Sequence, residues 1–179
     1  EVERLENLLA DKQSGEEMID ASSSQGMKLT NSTVVMYPLL QDRTKMYSTI
    51  LLSKGFKDGI EVGEDVYVRG LQVVCTIKEV YTSTSLCLLL SSSGEITEAV
   101  TASSSITLSL VGRGGSFVAD VARDTPVSVG EKVLLRANQQ LTVGTVVSVF
   151  NDNQDTSWHV FVVGAYNPVT SSLFYAKKK

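Results

Sequence analysis

The chain has 179 residues, 42% of them hydrophobic and 20% charged, which is enough apolar material for one ordinary domain or two small ones and too much for a disordered chain. A formal net charge of −4 argues against a nucleic-acid partner, and the sole basic run, Lys177-Lys178-Lys179, reads as a solvated tail. No window approaches the roughly 18 apolar residues of a membrane helix, no secretory leader is present, and the start at Glu1 rather than Met suggests an excised part of a longer protein.

The first element is "EVERLENLL", where Val2, Leu5 and Leu9 take a, d and a of a heptad amid Glu and Arg. Isolated helices need about 12 to 15 residues in water, so this piece is expected to be the end of a coiled coil and a self-association seam, with a short helix packed on its own domain as the alternative. With the linker "ASSSQG" (Ala21–Gly26) it makes up residues 1–26. From Leu29 the apolar pattern changes to period two. It predicts strands over 33–40, 47–53, 65–68, 71–80, 86–90, 97–101, 106–111, 116–121, 132–136, 141–150, 158–164 and 172–176. Polar and glycine-rich stretches such as "KGFKDG", "SSSG", "RDTP" and "NDNQD" separate them, and no helical stripe intrudes. The fold class is all-β.

A repeat organises these strands. "GIEVGEDVYV" (Gly59–Val68) returns as "PVSVGEKVLL" (Pro126–Leu135), and "VVCTIKEV" (Val73–Val80) returns as "TVGTVVSV" (Thr142–Val149) after a turn two residues longer. Cys75 then stands where Gly144 stands. Gly63 and Gly130 are expected to bend the backbone, with the valines on either side facing inward and Glu64 and Glu131 in water. Two copies imply two tandem six-stranded-type β-barrel lobes, over 27–111 and 112–179, after the short N-terminal helix.

Sites for chemistry are scarce. Cys75 and Cys87 lie in apolar runs without His or Cys at metal spacing, and are expected as two buried thiols; a hairpin turn centred near Tyr81 would instead set them opposite and let them bond. His159, the only histidine, sits between Trp158 and Val160 and reads as a strand residue. "RGGS" (Arg113–Ser116) lacks the companions of a serine-protease triad and reads as the turn between lobes. Glu64 and Glu131 belong to separate lobes, so they are no acid/base pair. The serine triplets at Ser22, Ser91 and Ser103 read as loop filler. No catalytic, metal-binding or cofactor-binding residue is expected, and no cofactor. Phe56, an aromatic in a polar turn, is expected to tuck into its own lobe, with an exposed interface contact as the alternative.

The segment "STILLSKGFKDGIEVGEDVYVRGLQVVCTIKEV" (Ser48–Val80) resembles the first extracytoplasmic lobe of the rod shape-determining protein MreC family. Gly55, Gly59 and Gly63 supply that lobe's glycine-spaced turn and Gly70 the hairpin after it. Leu108–Leu135 resembles the family's crossover into a second lobe, Val143–Ala176 its closing strands, and the heptad sits where its coiled coil ends. Three features depart from the family pattern: Arg136–Leu141 replaces a Thr-Ser-Gly turn with a nearby Pro-x-Gly, Cys75 replaces a glycine, and Ser91–Ser93 replaces an acidic residue.

The resemblance implies a non-catalytic envelope scaffold on the extracytoplasmic side of the bacterial membrane, anchored upstream of Glu1. It also implies a homodimer or higher self-assembly that organises peptidoglycan synthesis beside an actin-like cytoskeletal protein, an MreD-like membrane partner and a penicillin-binding transpeptidase. The alternative is a periplasmic adaptor of a transport system, of the membrane-fusion type, which should carry helical segments on both sides of one lobe.

Overall fold

The computed structural model describes residues 33–39, 44–151, 156–167 and 170–177, all in one compact unit over Asn31–Lys179. The coiled-coil seam Val2, Leu5 and Leu9 lies outside the described residues.

Each expected strand has a counterpart. In chain order they are β1 (Thr33–Met36), β2 (Thr49–Leu52), β3 (Asp65–Val68), β4 (Gln72–Val80), β5 (Ser85–Leu89), β6 (Ile96–Thr101), β7 (Thr107–Gly112), β8 (Ser116–Ala122), β9 (Lys132–Leu135), β10 (Asn138–Asn151), β11 (Ser157–Val163) and β12 (Phe174–Lys177). Among the described residues the helical content is one 3-10 turn, Phe56–Asp58. Val, Ile, Leu and Thr at alternate positions give each strand one buried face, as in β6, where Thr97, Ala99 and Thr101 are buried and Ile96 and Glu98 exposed.

Six strands close on themselves. β6 pairs with β7, β7 with β8, β8 with β11, β11 with β10, β10 with β9, and β9 returns to β6, all antiparallel. Closure leaves no unpaired edge in this barrel. The remaining strands run β1-β12-β3-β4-β5-β2. Just past β1, Pro38 bridges to Leu52, with Leu39 N–H donating to Leu51 O at 2.7 Å and Ser53 N–H to Tyr37 O at 2.9 Å. β4 and β10 meet at one parallel bridge, Gln72 with Thr142, where Thr142 N–H donates to Leu71 O at 2.9 Å.

Neighbour relations are the same in both groups. Going round, β12, β1, β2, β3, β4 and β5 occupy the places of β6, β7, β8, β9, β10 and β11. The expected division at 111/112 does not follow this pairing. β6 and β7 precede it yet belong to the closed barrel, and β12 follows it yet pairs with β1 and β3. The physical reason is that the closed barrel is inserted between β5 and β12, so the first group is completed by the last described strand. Period-two patterning marks a strand but carries no information about a distant partner.

Each group has its own buried side chains. Met36, Ile50, Leu52, Ile60, Val66, Val74, Ile77, Leu89 and Phe174 pack together with Cys75 and Cys87 in the first group. In the closed barrel Leu108, Leu110, Phe117, Val133, Val143, Val146, Val160 and Val162 are each no more than 3% exposed. Side chains of this size contribute roughly 1.5–3 kcal/mol each when fully buried, so these two clusters hold the strands together.

Gly63 and Gly130 have φ of 86° and 87°, in the left-handed region that favours glycine. Their surroundings match: Gly63 N–H donates to Ile77 O and Gly130 N–H to Val146 O, each at 2.8 Å, while Ile77 N–H and Val146 N–H return bonds to Glu64 O and Glu131 O, each at 2.9 Å. The side chains depart from the expectation in two ways. Glu64 and Glu131 are buried rather than solvated, and Val62 and Val129, directly before the glycines, are exposed rather than inward. The left-handed bend reverses the strand alternation, so the residue after the glycine points in and the one before it points out.

Candidate protein-contact surface

At one end of the first strand group the turn "KGFKDG" is built around Asp58. Its carboxylate accepts from Lys54 Nζ at 2.9 Å and from Gly55 N–H at 3.1 Å, and these two bonds, the lysine first, hold the carboxyl below the usual carboxylate pKa. Gly59 closes the turn at φ 85°, its N–H donating to Phe56 O at 3.0 Å. The turn is tied to the β4–β5 hairpin by Phe56 N–H to Tyr81 O at 2.9 Å and Lys57 N–H to Thr82 O at 3.1 Å. Gly55 is needed at this seam, because a Cβ there would stand 2.6 Å from Thr84 N.

The result is a fixed platform that presents an aromatic to solvent. Phe56 is 76% exposed, against the expectation that it tucks into its own lobe. Two of the turn's backbone bonds run to the β4–β5 hairpin and three close the turn on itself, Asp58 N–H and Ile60 N–H to Gly55 O and Gly59 N–H to Phe56 O. Beside it stand Val62, 62% exposed, and Tyr81, 48% exposed, whose hydroxyl donates to the Glu79 carboxylate. Together with Ile60, Val80, Glu61 and Thr82 they line an open groove of about 550 Å³. Clustered apolar side chains on a polar surface mark a contact for another macromolecule, and aromatics are the commonest anchors of such contacts. The matching place in the closed barrel, Val129, is 64% exposed, but the adjacent turn Arg123–Pro126 carries no aromatic.

Sequence reasoning singled out Phe56 but not Val62 or Tyr81. Val62 belongs to the repeat and was assigned inward by its alternation. The available signal for Tyr81 was its place in "YTSTS", the turn where Cys75 and Cys87 were tested for pairing.

The other candidates are dispersed. Gly70 has φ 83° in the β3–β4 turn. Gly144 has ordinary φ but no room: a Cβ there would lie 2.8 Å from Val163 C and 2.9 Å from Val162 Cγ1. Cys75 and Cys87 are disulfide-bonded rather than free, with Cα atoms 5.7 Å apart, a spacing typical of such bonds. Cys75 faces Leu89 and Cys87 faces Ile77, so the bond runs diagonally across the β4–β5 hairpin, whose turn spans Tyr81–Thr84. His159 faces Asp120 across β8 and β11, with Nδ1 and the carboxylate 2.6 Å apart on the outer surface.

"RGGS" is not a turn between lobes. It is the β7–β8 hairpin inside the closed barrel, held by Gly114 N–H to Ser91 O at 2.8 Å. Ser91 and Ser92 are accordingly buried rather than loop filler, since they pack where the chain passes from β5 to β6. Ser103 and Ser104 likewise bind the Glu131 carboxylate.

Comparison with known proteins places this architecture. A family model described as "Rod shape-determining protein MreC, barrel core" matches residues 39–171. The chain is similar in fold to a crystal structure of MreC from Pseudomonas aeruginosa, with TM-score 0.72, 20% identity, and 82% of this chain and 99% of that chain covered. It is similar to an MreC structure from Listeria monocytogenes at TM-score 0.70 and 15% identity, covering 99% of this chain and 90% of that one. A complex between penicillin-binding protein PBP2 and MreC from Helicobacter pylori also matches, with TM-score 0.58, 13% identity, and 82% and 98% covered. Among curated proteins none matches by sequence.

Proposed function

The chain belongs to the rod shape-determining protein MreC family, and on that premise we propose that it is a non-catalytic scaffold whose first strand group grips a penicillin-binding transpeptidase through Phe56, Val62 and Tyr81. Membership makes it a cell-shape protein, and the adaptor alternative finds no support in the comparisons. The observation that carries the contact reading is the exposure of Phe56 on a turn braced by Asp58 and sewn to the β4–β5 hairpin. A rigid anchor loses little conformational freedom on binding, so more of its buried area appears as affinity. The Helicobacter pylori complex supports the class of partner.

The first strand group and the closed barrel inserted into it would act as a spacer between the membrane and the transpeptidase. Val2, Leu5 and Leu9 would pair two copies through a coiled coil, with an MreD-like protein at the membrane end. The buried Cys75–Cys87 bond supports an extracytoplasmic location, because such bonds persist in oxidising compartments. The test is complementation. The full-length protein should restore rod shape to a bacterium depleted of its own family member, and Phe56→Ser should leave the cells round at equal protein level. Rod-shaped cells with Phe56→Ser would remove the contact reading.

A further inference from the structure

We propose that the Cys75–Cys87 bond is installed by a thiol–disulfide oxidant before the first strand group closes, is out of reach of thiols afterwards, and replaces a packing that the closed barrel achieves without oxidation. This goes beyond the scaffold reading and stands apart from it.

The replacement is visible in the matched strands. Cys75 faces Val66 on β3 as Gly144 faces Val133 on β9, and Cys87 faces Ile77 as Val162 faces Val146. In the closed barrel the pair is therefore a glycine against a valine, and β11 passes so close that a Cβ on residue 144 would lie 2.8 Å from Val163 C and 2.9 Å from Val162 Cγ1. In the first group both positions carry a side chain. Two thiols would have to sit at non-bonded separation in an interior packed as densely as a molecular crystal, whereas joined sulfurs occupy the space of one contact.

Access sets the order of events. Both cysteines are 0% exposed and lie among Ile50, Val66, Ile77 and Leu89. Thiol–disulfide exchange needs a thiolate to reach a sulfur, so the folded protein neither forms nor breaks this bond. In the forming step one cysteine thiolate attacks the oxidant's disulfide to give a mixed disulfide. The second thiolate then displaces the oxidant's sulfur. The two cysteines lose two electrons and two protons, and the oxidant leaves as a dithiol. The chain order provides the window: β4 and β5 carry both cysteines, while β12, which joins β1 to β3, follows them by more than eighty residues and is the last described strand.

The experiment counts thiols on the purified protein with a maleimide mass tag. No tags are expected without reductant, folded or denatured. None are expected on the folded protein in dithiothreitol, and two after denaturation in dithiothreitol. Refolding of the reduced wild type should recover at least about twofold less folded protein in dithiothreitol than in a glutathione redox pair, whereas Cys75→Gly/Cys87→Val should refold equally in both. Two tags on unreduced denatured protein would overturn the proposal. So would tagging of protein that stays folded in dithiothreitol, or equal refolding of the wild type in both buffers.

Discussion

Ser104 donates both its backbone N–H and its hydroxyl to Glu131 Oε1, at 2.9 and 3.0 Å. Ser103 N–H adds a third bond to that oxygen at 3.0 Å, and Ser128 N–H reaches Oε2 at 3.3 Å. A buried carboxylate thereby ties the β6–β7 turn to the entry of β9, beside the β6–β9 ladder that closes the barrel.

Burial alone would raise the Glu131 pKa, but the bonds from Ser104, Ser128 and Ser103 together outweigh it and hold the carboxyl below the usual glutamate value. A folded-state pKa below the unfolded one stabilises the fold above the unfolded value, about 4.3, and this stability is lost as pH falls through the folded value. Glu131→Gln is therefore expected to cost roughly 1–3 kcal/mol at pH 7, the range for losing bonds to a charged acceptor. Urea melts at pH 7 and pH 3 check this, and the variant should lose less stability on acidification than the wild type.

Glycines at different kinds of position should separate by cost. At Gly63 and Gly130 an added Cβ meets nothing within 4 Å, so Gly63→Ala and Gly130→Ala should cost only the left-handed backbone penalty of about 1–2 kcal/mol each. Gly144→Ala drives its Cβ into the β11 backbone and should cost more than either, although its φ is ordinary. Thermal melts of the three variants give the ranking, and a Gly144→Ala protein that melts above Gly63→Ala would contradict it.

The contact residues should be dispensable for folding. Phe56→Ser and Val62→Ser remove side chains that are 76% and 62% exposed, so each should change stability by no more than about 0.5 kcal/mol. Asp58→Ala differs, because it releases the Lys54 and Gly55 bonds that brace the turn. It should lower partner affinity while Phe56 itself remains in place.

Self-association through Val2, Leu5 and Leu9 is a proposal from the heptad spacing alone. Extended upstream by its native segment, the protein should sediment at about twice its monomer mass, and Leu5→Lys with Leu9→Lys should return it to a monomer. A monomer in the extended wild-type protein would remove the seam.

Much of the fold was legible because local signals decide strands. Gly63-Glu64 and Gly130-Glu131 recur with like neighbours, and the structure gives them like hydrogen bonds. What the pattern did not carry was pairing at a distance, so nothing marked β12 as the neighbour of β3 or β6 as that of β9. Burial of Glu64 and Glu131 escaped for a related reason. A carboxylate after a glycine looks solvated until a turn such as Ser103-Ser104 is brought to it from another strand. Phe56 stood out by its chemistry, but its exposure follows from how Asp58 and the Tyr81 carbonyl hold the turn. The disulfide rested on hairpin register, where a bulge between Ile77 and Glu79 fixes the diagonal.

The central claim is that Phe56, Val62 and Tyr81 form the transpeptidase contact. It is tested most directly by titrating the protein against the extracytoplasmic part of the penicillin-binding transpeptidase from the same cell and measuring Kd. Phe56→Ser is expected to weaken binding by at least 2 kcal/mol, about thirtyfold, with Val147→Ser, an exposed residue on β10 of the closed barrel, leaving it unchanged. Equal affinity for the wild type and Phe56→Ser would contradict the account.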